Sequence, residues 1–180
     1  MIEVVVHSLG MEQESSQPVV ILRSVLDGRM LPIWIGGPEA TAILMHFQDE
    51  TFPRPLTHDL LHNMVLALGF LVERIEITEL RETTFYANIV LFDGTNTVEI
   101  DARPSDAIAL AVRAGCPILV ADEVMEVAGR DMIAEDDDSD SDAPDGMSVE
   151  RVEPIEEEVE LEQFREFLAH VDPEDFASSS

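Results

Sequence analysis

The sequence predicts an α+β fold: two β3-α2 structural repeats sharing one mostly antiparallel, barrel-like sheet with helices packed on it. Three observations carry that expectation. β-branched apolar runs come in two groups of three, an Asp-Gly pair joins the last two runs of each group, and residues at helical spacing follow each group.

The first group comprises 2–9 (IEVVVHSL), 17–25 (QPVVILRSV) and 29–35 (RMLPIWI), with Asp27-Gly28 as the hairpin turn. A helix is predicted over 38–48, with Pro38 in its first turn and Glu39 at its positive end. A second helix is predicted over 57–68, with Thr57 as N-cap and Gly69 as its stop.

The order then recurs. Strands are predicted at 70–80, 84–92 and 96–102, with Asp93-Gly94 in the second hairpin. A helix at 105–114 is capped by Ser105 and stopped by Gly115; a short apolar segment, 117–120, and a weaker helix, 122–128, follow. A shift of about 67 positions superposes the halves, and Glu39-Ala40-Thr41-Ala42-Ile43 then falls on Asp106-Ala107-Ile108-Ala109-Leu110. That coincidence suggests duplication, with repeats of about 1–68 and 69–132. Neither half has enough strands to bury its own apolar face, so the two are expected to form one core.

Residues 133–153 read as an acidic linker too polar to fold, and 154–176 as an amphipathic C-terminal helix. Leu161, Phe164, Phe167, Leu168 and Val171 recur there at helical spacing. Packing against its own domain is the simplest use of such a helix, and a partner's groove is the other.

Charge is the unusual quantity. The chain has 38 acidic and 10 basic residues, all ten of them Arg, for a net charge of −28. Residues 1–132 hold 20 acids and 8 Arg (net −12), and 133–180 hold 18 acids and 2 Arg (net −16). Because the excess extends into the folded region, a halophilic-like, solvating surface is favoured over a purely acidic interaction tail. The overall field repels nucleic acid, so phosphate binding needs a local Arg cluster; in molar salt, with a Debye length of about 3 Å, the repulsion fades. A single cysteine, Cys116, permits no internal disulfide. With no basic leader and no apolar run near 20 residues, a cytoplasmic protein is expected.

Four blocks, LPIWIGGPEATAI (31–43), RPLTHDLL (54–61), ITELRETTFYANI (77–89) and IDARPSDAIALAVRAGCPI (100–118), resemble the bifunctional nuclease family over residues 1 to about 130. EQFREFLAHVDPEDF (162–176) is similar to a C-terminal helix of some members, whereas the long Asp-rich linker departs from the pattern. The resemblance implies two β3-α2 units on one sheet, and hydrolysis of both RNA and DNA of the kind attributed to plant members. It implies no settled mechanism, so residue roles rest on chemistry.

Two Arg-Pro dipeptides precede helix starts and assemble the candidate site: Arg54, His58 and Asp59 in one half, Asp101, Arg103, Ser105 and Asp106 in the other. His58, Asp59, Asp106 and Glu39 are the catalytic candidates, with His58 as proton shuttle. Arg54, Arg103 and Ser105 are the phosphate-binding candidates. Asp101 and Asp106 are candidates to hold Mg²⁺ or Mn²⁺, hard cations that select oxygen. RNA or single-stranded DNA is the expected substrate. The bland alternative makes the acids and hydroxyls helix caps and the Arg residues their ion-pair partners. A non-catalytic binding module or homo-oligomeric scaffold is the competing function. His7, His46 and His62 are read as core-edge residues, Trp34 as packing, Met30, Met45 and Met64 as core filler, and Cys116 as inert.

Overall fold

The computed structural model describes residues 1–12, 15–48 and 52–131. The predicted linker and C-terminal helix lie outside them.

The elements run β1 (Ile2–Met11), β2 (Pro18–Ser24), β3 (Met30–Trp34), α1 (Gly37–Phe47), α2 (Thr57–Ala67), β4 (Leu71–Arg81), β5 (Thr84–Phe92), β6 (Thr97–Ala102), α3 (Pro104–Ala114), β7 (Ile118–Val120) and α4 (Asp122–Ala128). The strands form one sheet in the order β3-β2-β1-β7-β4-β5-β6. Every pairing is antiparallel except β4 with β7. Two meanders built by short turns therefore flank a central strand, as expected where the connections are too short for crossovers.

The sheet is not closed. β3 and β6 are its opposite edges, which corrects the barrel-like expectation: closure would need those two strands to pair, and the short β7 instead holds the meanders side by side. The apolar segment 117–120 was expected only as a connection. Its three residues are too few for a recognisable period, yet Ile118 and Val120 pair with Val4 and Ile2 on one side and with Ile75 and Ile77 on the other. The second half thus carries a strand between its two helices that has no counterpart among the described residues of the first half.

Alternation along the strands sends one apolar set to a single face: Leu31 and Ile33, Val20 and Leu22, Ile2 and Val4, Ile118 and Val120, Ile75 and Ile77, Ala87 and Ile89. The buried residues of all four helices join this same cluster. α3 lies at its centre. Five consecutive residues, Ala107–Ala111, are at most 1% exposed, and α3 packs against α1, α2, β4 and β5. Alanines at 107, 109 and 111 leave room for neighbours on several sides, so a helix buried all round is the result. Gly115 then takes the left-handed conformation (φ 64°) that ends α3, as the sequence predicts.

Met64, expected as core filler, is 53% exposed on the outer side of α2. Its helix is apolar on two faces, and the inner one is served by Val65.

Candidate active site

Three helix starts supply the site. Glu39 is in the first turn of α1, His58 in the first turn of α2 and Asp106 in the first turn of α3. Arg103 sits at the N-cap position of α3, directly after β6. Because α3 is packed between α1 and α2, its first turn brings these groups within reach of one another.

They form a continuous chain. Arg103 Nη2 donates to Glu39 Oε1 at 2.6 Å, and Arg103 Nε donates to Asp106 Oδ2 at 2.8 Å. The other Asp106 oxygen, Oδ1, lies 3.1 Å from His58 Nε2. One Arg thus joins the two halves, and Asp106 passes the connection to a third helix. Glu39 is seated by the absence of a side chain at Gly36: a Cβ built there would stand 2.3 Å from Glu39 Oε2.

Electrostatics orient the dyad. Burial works to raise the Asp106 carboxyl, but hydrogen bonds from Arg103 and His58 outweigh it and hold the group below the usual carboxylate range. Asp106 is therefore ionised at neutral pH and can only accept, which puts a proton on His58 Nε2 and leaves Nδ1 as the acceptor of the neutral ring. His58 is 8% exposed. Among the described residues its side-chain hydrogen bond is the one at Nε2. The Arg103 side chain is 68% exposed, and its pKa is raised by the hydrogen bonds to Asp106 and Glu39.

The remaining candidates separate from this chain. Asp59 Oδ2 accepts from the backbone N–H of Leu56 at 2.8 Å, and Oδ1 accepts from Arg113 Nε at 2.5 Å. Burial favours its neutral form, but Arg113 and the Leu56 N–H prevail and lower its pKa. Arg54 and Asp101 are exposed and make no ion pair among the described residues. Ser105 is buried, and neither it nor Thr57 is the N-cap. Those positions fall to Arg103 and Leu56, whose own side chains make no cap hydrogen bond; at α2 the Asp59 carboxylate caps the Leu56 N–H instead. The expected capping fails because Pro104 and Thr57 are already helical, which places the hydroxyls inside the first turn.

Arg113 is the participant that sequence reasoning missed. Its side chain is 7% exposed and donates to the Ala109 and Ala42 carbonyls at 2.9 and 3.0 Å besides Asp59. It fastens α2 and α1 to α3. Its position at the end of a helix, an ordinary place for a basic residue, gave no signal of that burial.

Among the described residues no group of three or more His, Cys, Asp or Glu is arranged to hold a metal ion. Asp106 gives both oxygens to cationic or N–H partners, and Asp101 is not joined to it by any bond. Among the described residues, the candidate ligands Asp101 and Asp106 are therefore not grouped as a site for Mg²⁺ or Mn²⁺.

Residues 20–132 match the family described as bifunctional nuclease domain. An uncharacterized protein of Mycobacterium tuberculosis is 41% identical over 177 residues, 98% of this chain and 99% of that one. Bifunctional nuclease 1 of Oryza sativa subsp. indica is 28% identical over 113 residues, and bifunctional nuclease 2 of Arabidopsis thaliana is 29% identical over 96. These matches cover 60% and 52% of this chain but only 34% and 29% of the plant proteins, so the chain spans about a third of their length. Glu39, Arg103, His58 and Asp106 all fall inside the matched region.

Proposed function

The chain belongs to the bifunctional nuclease domain family, and from that premise we propose that it hydrolyses phosphodiester bonds in RNA or single-stranded DNA at the Glu39–Arg103–Asp106–His58 chain. The observation that carries the reading is the bond between His58 Nε2 and Asp106 Oδ1, with the exposed Arg103 on the other Asp106 oxygen. Asp106 holds the imidazole in the tautomer whose Nδ1 can take a proton from an attacking water. Arg103 uses two of its five N–H donors on Glu39 and Asp106; the others have no partner among the described residues and are assigned to a non-bridging phosphate oxygen, where they stabilise the charge that grows as water adds. Glu39 keeps the guanidinium in that orientation. Leaving-oxygen protonation falls to the imidazolium formed in the first step.

Divalent-metal assistance enters only as an arm of the assay, since an ion would have to compete with Arg103 for Asp106 and Glu39. The test is cleavage of a labelled single-stranded RNA and its DNA counterpart, at low and molar salt, in EDTA, Mg²⁺ or Mn²⁺. Loss of cleavage in both His58→Ala and Asp106→Asn, with folding intact, supports the site. Full cleavage in both variants removes it.

A second reading has an observation of its own: Arg103 and both of its carboxylates already satisfy one another, as a purely structural latch would. In that reading the domain is a binding module or homo-oligomeric scaffold. Variants at Arg103 would then change stability or assembly with no hydrolysis to lose.

A further inference from the structure

α2 shows solvent an apolar stripe that nothing among the described residues covers. Leu60 is 53% exposed, Met64 53% and Leu68 74%, and their spacing of four places them on one side, with the small Ala67 beside them. The opposite side of the helix is already used, by Val65 and His58 in the core. A helix apolar on both sides is a buried helix, so the stripe calls for an occupant.

We propose that the occupant is residues 156–171 of the same chain. Three observations select it. Leu161, Phe164, Leu168 and Val171 recur at steps of three and four, which would give this segment, as a helix, one apolar edge of nearly three turns, long enough to cover the stripe of just over two turns on α2. The other edge, with Glu162, Arg165 and Glu166, would face water. The tether is long enough: 24 residues, 132–155, separate the last described residue from the segment. Even relaxed, such a tether spans about 27 Å, and fully extended about 80 Å, against a diameter of roughly 30 Å for a domain this size. The tether also keeps the segment at an effective concentration in the millimolar range, which weak apolar docking can use. Finally, the mycobacterial relative aligns over 98% of this chain, so the segment travels with the domain there, whereas the plant matches cover no more than 60%. Helix lying against helix through Leu, Met and Phe side chains is the packing that results.

The inference does not depend on the nuclease reading, and its test uses proteolysis of the full chain. Arg165 lies within the docked segment and Arg151 within the tether, so one trypsin digestion carries its own control. Because a cut after Arg151 releases the segment, the two sites are compared as first cuts under single-hit digestion of the full-length protein, where cleavage after Arg151 is expected to outpace cleavage after Arg165. The double substitution Leu60→Glu and Met64→Glu, at positions exposed enough to leave the domain folded, is expected to speed cleavage after Arg165 about tenfold and leave Arg151 unchanged. Phe164→Glu with Leu168→Glu should match it and should raise hydrogen exchange in residues 57–68. An Arg165 rate that the α2 substitutions do not change overturns the proposal. So does protection that strengthens with protein concentration and coincides with a doubled mass in light scattering, because the occupant would then be a second copy.

Discussion

Arg103 Nη2 and Glu39 Oε1 stand 2.6 Å apart although 64 positions separate them in the chain. This bond ties the two halves of the molecule at the proposed reaction centre. Arg103→Ala is expected to reduce hydrolysis by about 100-fold, the scale of one well-placed transition-state donor. Its effect on the unfolding free energy in urea is expected to stay below about 1 kcal/mol, because an ion pair with a largely exposed partner contributes little to folding. Arg103→Lys should restore little activity, since an ammonium cannot span both carboxylates as the planar fork does. A variant that unfolds readily but keeps its activity would favour the latch reading.

Gly36 offers a way to disturb Glu39 without touching it. Its backbone (φ −79°, ψ 154°) is open to any residue, so Gly36→Ala brings no backbone strain. The new methyl would instead meet the Glu39 carboxylate at 2.3 Å and push it from Arg103. The expected outcome is an activity loss close to that of Glu39→Ala, and a double variant no worse than either single one. Independent, additive losses would separate Gly36 from Glu39.

Much of this arrangement is legible in the sequence, and the missing parts have physical reasons. The strand runs, both Asp-Gly turns and the Gly115 stop are local signals, and each lies where expected. The acid–Ala–x–Ala–apolar pattern pointed to Glu39 and Asp106, which share Arg103. By contrast, β7 is fixed by β4 neighbours 43 positions away and β1 neighbours 114 or more away, which a three-residue run cannot announce. Capping by Thr57 and Ser105 misreads the helix starts by one and two residues, because the Leu-Thr and Arg-Pro junctions shift the caps upstream to Leu56 and Arg103. Arg113 reads as an ordinary helix-end charge. Only the packing of α1 and α2 on either side of α3 turns it into a buried clasp.

That clasp predicts the largest stability loss. Arg113→Ala would leave Asp59 without its cation and the Ala42 carbonyl without a donor; the Arg113 side chain is 7% exposed but the Asp59 side chain is 37% exposed. Water can reach the orphaned carboxylate, so the expected cost is about 1–3 kcal/mol, below that of a fully buried pair. Arg113→Lys keeps the charge but loses the three-way fork and is expected to fall between the two. Chemical unfolding followed by circular dichroism measures both, and a cost under about 1 kcal/mol for Arg113→Ala would show that α2 is held by other contacts.

Asp106 predicts how stability changes with pH. Its pKa is lowered in the folded protein, so unfolded chains bind protons more readily at this group. Its contribution is present above the unfolded value of 3.8 and is lost as pH falls through the lower folded value. Wild type should therefore lose stability more steeply than Asp106→Asn as pH falls below about 4. Parallel curves of urea midpoint against pH for the two proteins would contradict the assignment.

Cys116 should be chemically quiet. Burial pushes its thiol up to about 11, and the nearest charged side chain in sequence, Arg113, is committed to Asp59. At pH 8 a thiol of that pKa is ionised to about one part in a thousand, against roughly a quarter for an ordinary cysteine near 8.5. Alkylation by iodoacetamide is accordingly expected to run about two orders of magnitude slower in the native protein than in urea. Rapid native labelling would mean that the α3–β7 turn opens readily, because the thiol reacts as thiolate and only exposure would let it ionise.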